Sequence, residues 1–492
     1  MTRPVSPKDF PHRFLLVLLA VLSAALMPML HSEGTNLPTT RPAGDIDPRS
    51  FGAKGDGVNF DTEAIQKAID ACAGTGGRVV LSSGTFLTKP LELRGGMSLV
   101  VDKGAVLLGS PDIADYPVRL PKHAGVPSAL CRSLLFATNA DGLTITGGGA
   151  IDGNCLGMNI DEHVRRCGNE KDRPSLLRIF NSKDVTVRDI TLRNPCMWTE
   201  IYSECDNLLL DHVTVDAPPN CYNLDGIDVC DCHGVVIRNC DVKAEDDAVC
   251  LKSMSERGLA DILIENNRIH CYRANAIKFG SATRGPISHV VIRNNIVDFA
   301  KYGGLVIASV DGSRVKDILV QDLEMSHVGE PLFIRLGDRR ANDGAVTPKN
   351  HSVGSMEGIR IERMHVKDVN TDNFPSCSIS GIPGARVSNV VLKDCSFEMP
   401  GGMKGMPNLP LEKEFSYPQS NMFGNTPAYA FFVRHADDVV FDHVTTSTKA
   451  PDVRPWLAKV DAGVTMVGCE NPGPPVASLT AQPTPPKAGT VR

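Results

Sequence analysis

One short phrase recurs along the middle of the chain. It has two or three β-branched or leucine positions, a polar pair, then Asn, Cys or an apolar residue. It reads Val185-Thr186-Val187-Arg188-Asp189-Ile190 and Leu208-Leu209-Leu210-Asp211-His212-Val213, then Val235-Val236-Ile237-Arg238-Asn239-Cys240 and Ile262-Leu263-Ile264-Glu265-Asn266-Asn267. Val290-Val291-Ile292-Arg293-Asn294-Asn295 and Ile318-Leu319-Val320-Gln321-Asp322-Leu323 follow. From Val187 the third positions step by 23, 27, 27, 28 and 28 residues, and Ile361, Leu392 and Phe441 continue the phrase after longer inserts. A fixed step in this range marks a repeat architecture. Alternation within each run puts one face inside and one outside. Each period carries several short strand-like runs and no long helical pattern. The pattern therefore predicts an all-β fold, a right-handed parallel β-helix with one coil per repeat. A β-propeller blade needs about 40 residues and fits the shorter steps badly. Asn266 and Asn294, at equivalent places, predict an internal amide ladder.

The flanks complete this solenoid. Residues 61–72 (DTEAIQKAIDAC) carry apolar positions at helical spacing and predict a helix capping the open first coil, whose edge needs cover. Arg3, Lys8 and Arg13 precede an apolar run from Phe14 to Leu30, so residues 1–32 read as a secretory signal. The expected organisation is a signal at 1–32, one β-helix domain at 45–470 and a loose Pro-rich tail at 471–492. The expected location is secreted or periplasmic, with no membrane attachment after cleavage. The inserts at about 338–357 and 401–428 read as loops beside the solenoid.

Composition narrows the class. Of 492 residues, 51 are Lys or Arg and 57 are Asp or Glu, giving a net charge of −6. That excludes a broadly cationic nucleic-acid coat. Fifteen Cys and a predicted export signal permit disulfides, and the odd number leaves at least one thiol outside intrachain pairs. Cys155 and Cys167, bracketing a polar loop, are the expected disulfide. The Cys spacing does not resemble a zinc site. A monomer is expected.

The acids concentrate at two strand starts, Asn223-Leu224-Asp225-Gly226 and Glu245-Asp246-Asp247. Aligning Gly226-Ile227-Asp228-Val229 with Ala248-Val249-Cys250-Leu251 places Asp225 over Asp247, with Asp246 adjacent. Coils stack at roughly 4.8 Å, so three such carboxylates repel and at least one pKa should rise. A protonated carboxyl beside an ionised one is what glycoside hydrolysis requires. Asp and Asn also favour turns for purely structural reasons, but a single turn Asp does not explain acids in register on neighbouring coils.

From about Asp47 to about Arg340 the chain resembles glycoside hydrolase family 28, the polygalacturonases and their relatives. FGAKGDGVNFDTEAIQKAID is shared widely among pectin-active β-helices; GGGAIDGN (147–154) and RPSLLRIFNSKDVTVRDITLRNPCMW (173–198) are more specific. Asn223 and Asp225 match the family's N-x-D motif, and Asp246-Asp247 its double Asp. The resemblance implies inverting hydrolysis of pectin-type polysaccharide or oligosaccharide, with no metal or cofactor expected. Asp246 would be the general acid, Asp225 and Asp247 would hold and deprotonate the water, and Asn223 would belong to the binding set. Exo action or a rhamnogalacturonan substrate fits the same reading.

Two family motifs are changed. Gly-His-Gly becomes Ala274-Asn275-Ala276, with Asn275 at the His position, and Arg-Ile-Lys becomes Val306-Ile307-Ala308. Strand register places Lys278 in the column of Val306 one coil earlier and Arg335 in that of Ala308 one coil later. Lys278 and Arg335, with Arg339, are therefore expected to bind the sugar, and Lys252 to brace the carboxylates. Trp198 and Tyr222 are either sugar platforms or packed coil residues; His270 and His289 read as structural. Two rivals stay open: a Ca²⁺-assisted polysaccharide lyase on this fold, and a non-catalytic glycan-binding β-helix.

Overall fold

The computed structural model describes residues 44–118, 132–159, 173–342, 351–370, 376–471 and 474–480. The expected signal segment and Cys167 lie outside the described residues. The chain forms a right-handed parallel β-helix whose strands stack in parallel, coil upon coil. The recurring phrase makes the spine. Val187 pairs with Leu210, then Ile237, Ile264, Ile292, Val320, Ile361, Leu392 and Phe441 in one inward column. All nine side chains are fully buried. Aliphatic stacking thus fixes the register, since a one-residue slip would turn the ladder to solvent.

The polar end of the phrase has its own geometry. His212, Asn239, Asn266, Asn294, Asp322, Arg363, Asp394 and His443 all lie at φ between 53 and 57°. This left-handed region costs most L-residues energy and Asn and Asp least, which is why the corner residue is so often one of them. Asn266 and Asn294 are therefore exposed corners. The buried amide ladder forms one residue later: Asn267 Nδ2 donates to Asn295 Oδ1 at 2.9 Å, and Asn295 Nδ2 to Ile264 O at 2.9 Å.

The capping helix spans Thr62–Cys72 and buries Ala64, Ile65, Ala68, Ile69 and Cys72. At the other end, Ala477–Leu479 pairs in parallel with Ala458–Val460, so part of the expected loose tail is a strand. No helix among the described residues is long and apolar enough to cross a membrane. The insert between strands Ser396–Gly401 and Phe431–Asp442 folds back over the solenoid. Asp338 N–H donates to Glu414 O at 2.8 Å, and Arg434 Nη1 donates to Pro410 O at 2.8 Å.

Candidate active site

The carboxylates stand where register predicts. Ile227 pairs with Val249, and Gly226 N–H donates to Asp247 O, so Asp225 stacks on Asp247. The column continues through Asn275 and Gly303. A neighbouring outward column holds Asp228, Cys250, Lys278, Val306 and Phe333 on successive coils. A third carries Cys230 and Lys252, and further along Ala308, Arg335, Ser380 and Arg434. The positions of Lys278 against Val306 and Arg335 against Ala308 are those the alignment of strands anticipates.

The three acids differ in surroundings. Asp247 is buried; it accepts from Lys278 Nζ at 2.7 Å and Asn275 Nδ2 at 2.6 Å. Burial alone would push its pKa up, but Lys278 and then Lys252 hold it below the usual range. Asp225 is also buried, and burial followed by Asp228 and Asp246 raises it well above that range, against Lys252 at 3.6 Å. Asp246 is the accessible one, its side chain 24% exposed, and burial and then Asp247 raise it. One ionised, one protonation-prone and one accessible carboxyl are the parts an acid/base hydrolase needs.

Asn275 occupies the changed His position and acts between coils. Its Nδ2 holds Asp247, while its Oδ1 accepts from Gly303 N–H at 3.0 Å. Gly303 suits this approach, because a Cβ there would lie 2.5 Å from Asn275 Oδ1.

The cations behave differently from one another. Lys278 lies in the site, but its ammonium faces Asp247 and Tyr417 Oη (3.1 Å). Lys252 contacts Asp228, which is fully buried, and sits 4.2 Å from the Trp198 ring centroid. Trp198 therefore seats a lysine. Arg335 departs from the expected sugar contact. It is buried and donates to Ser380 Oγ and Gly381 O at 2.8 Å, and to Glu412 O at 2.9 Å and Lys413 O at 3.2 Å. Its fork pins the 402–428 insert. Arg339 pairs with Asp311 at 2.5 Å and lies 5.7 Å from the Tyr417 ring, so its charge is also answered within the protein. Asn223 sits at φ 58°, shaping the turn into Asp225.

Several site residues were not anticipated. Asp228, buried against Lys252, was visible as an acid inside an apolar strand run. Arg273 holds Glu245 Oε1 at 2.5 Å and Asp246 Oδ2 at 3.2 Å, and stacks 3.8 Å from the Tyr222 centroid. Tyr417 reaches the site from a distant insert, and no sequence spacing signals that. His270 and His289 do have partners, Asp298 at 2.8 Å, and Asp261 at 3.3 Å with Asp317 at 3.5 Å.

Asp225, Asp247 and Cys250 bring one donor atom each within 4.8 Å of one another. This set suits Ca²⁺ poorly. A hard cation takes six to eight oxygens, whereas here a thiol intrudes and two lysines already answer the carboxylates.

Residues 128–410, more than half of the chain, match the profile of glycosyl hydrolases family 28. This chain belongs to that family. It is a glycoside hydrolase. Residues 46–114 match the profile "Rhamnogalacturonase A/epimerase, pectate lyase-like". A probable polygalacturonase of Vitis vinifera is 28% identical over 380 residues, covering 73% of this chain and 75% of the relative. An exo-poly-alpha-D-galacturonosidase of Dickeya chrysanthemi is 28% identical over 437 residues, covering 74% and 72%. In fold, the chain is similar to a family 28 exopolygalacturonase of Yersinia enterocolitica (TM-score 0.66, 20% identity, 86% of this chain, 78% of the other). It is also similar to a hyperthermoactive exopolygalacturonase of Thermotoga maritima (TM-score 0.64, 20% identity, 88% and 96%).

Proposed function

We propose that this family 28 enzyme is exported and hydrolyses galacturonan-type pectin chains from one end, with inversion at the anomeric carbon. The supporting observation is the division of labour among the three acids. Asp246, accessible and with a raised pKa, gives its proton to the glycosidic oxygen as that bond breaks. Water adds to the anomeric carbon from the opposite face and loses its proton to Asp247, kept ionised by Lys278. Asp225, one coil below and steadied by Lys252, orients that water. Lysines already paired with these acids favour hydrolysis over Ca²⁺-assisted elimination.

End-on attack rests on the 402–428 insert. It is pinned by Arg335 and Arg434, and through Tyr417 it reaches Lys278, one coil from Asp247. Such a wall closes the cleft on that side. The test is digestion of galacturonan and rhamnogalacturonan fragments of defined length, with product sizes and anomeric configuration followed by NMR. Short products from the outset, inverted configuration and loss of activity in Asp246→Asn are expected. Ultraviolet-absorbing unsaturated products, or full activity in Asp246→Asn, would overturn the assignment.

A further inference from the structure

Among the described residues, several buried thiols donate to backbone carbonyls. Cys205 bonds Ser203 O at 3.5 Å, Cys232 bonds Cys230 O at 3.2 Å, and Cys395 bonds Lys393 O at 3.2 Å. They act as small inward hydrophobes. Cys155 and Cys221 face each other. Their Sγ atoms lie 3.6 Å apart, both buried, although 66 residues separate them in sequence. Cys155 opens a short 3-10 turn (Cys155–Gly157) fixed to the solenoid by its N–H to Asn194 O at 3.1 Å. Cys221 stands in the loop between strands Asp206–Asp216 and Ile227–Cys230. That loop leads through Tyr222, stacked on the Arg273 that holds Asp246, to Asp225 itself.

We propose that Cys155 and Cys221 are oxidised to a disulfide that clamps the catalytic loop to the solenoid wall. The oxidant is a low-molecular-weight disulfide such as oxidised glutathione, acting before the coils close over the sulfurs. One thiolate attacks the donor disulfide and releases one donor thiol. The second thiolate attacks the resulting mixed disulfide and releases the other. The protein loses two thiol hydrogens, and the donor disulfide is reduced to two thiols. The two sulfurs must approach by about 1.5 Å to reach bonding distance, a shift a surface loop can absorb.

The test is refolding of the full chain with oxidised glutathione, then alkylation in denaturant without reductant and peptide mapping. The expected result is a peptide joining Cys155 to Cys221, released by dithiothreitol. Cys155→Ser and Cys221→Ser should each lower Tm by roughly 5 °C, the loop-closure effect of such a span spread over a fold of this size. The double variant should fall no further than either single one. Alkylation of both residues after oxidation, linkage of either to Cys131 or Cys167, or additive Tm losses would overturn the proposal.

Discussion

Replacing Lys278 by Met tests whether this cation serves Asp247 or the sugar. The ammonium lies 2.7 Å from Asp247 Oδ2, and both side chains are nearly inaccessible, at 2% and 6%. Breaking a buried pair by deleting one partner costs about 3–5 kcal/mol, because the remaining charge is stranded. Asp247 relieves that cost by taking a proton. Lys252 and Asn275 remain beside it, so its pKa should rise while the acid still ionises near neutral pH. Its native pKa is depressed, so it contributes stability above the unfolded value near 4, lost as pH falls through the folded pKa. In Lys278→Met that contribution disappears. The acidic limb of kcat/KM should move to higher pH, with activity near pH 4 down about tenfold and much of it back near pH 7. The assay is a pH series of initial rates on a short galacturonan oligomer, with Tm measured alongside. An unmoved acidic limb with KM raised tenfold would refute this reasoning and return Lys278 to sugar binding.

Arg273→Gln should move the basic limb of the same profile to higher pH, since Arg273 depresses Asp246 at 3.2 Å. The move should be modest, because Arg273 is 36% exposed and solvent screens the pair; an unmoved limb counts against Asp246 as the acid. Arg335→Leu should free the 402–428 insert, so that longer intermediates appear early and viscosity falls faster; an unchanged product ladder would detach that insert from the mode of attack. Stability should decline as pH rises from about 4 towards 8, because Glu200 is pushed up to about 8 and Glu245 to about 7, chiefly by burial, and the folded state then binds more protons. Glu200→Gln should flatten that decline in Tm, and an equally steep profile would place its source elsewhere.

Register is what made this chain readable. A parallel solenoid converts sequence offsets into neighbours about 4.8 Å apart, so the aligned apolar phrases alone place Asp225 on Asp247 and Lys278 beside Val306. The same logic failed wherever a contact left the coil. Tyr417 touches Lys278 from 139 residues away. The partners of Arg335 include Glu412 and Lys413, in an insert whose path no repeat dictates. The misplaced amide ladder has a smaller cause. The corner residue of each phrase is turned outward by its positive φ, so the following Asn takes the inward place.

The changed motifs fit one electrostatic argument. With Arg-Ile-Lys replaced by Val306-Ile307-Ala308, the coil beyond the acids loses two cations, and Val306 and Phe333 pack under Met422 and Phe423 of the insert. Phe423 in turn lies under the guanidinium groups of Arg335 and Arg434, 5.3 and 4.9 Å from its centroid. Positive charge has therefore not vanished from this sheet. On one side it has moved beneath the insert, where backbone carbonyls answer it. On the other, Lys278 and Lys252 have been drawn into the carboxylate cluster, where they set which acid is ionised. The apolar positions left by the changed motif are thus covered by the insert and closed to solvent. Arg273, its side chain 36% exposed, is likewise held by Glu245 and Asp246, so it too tunes the acid.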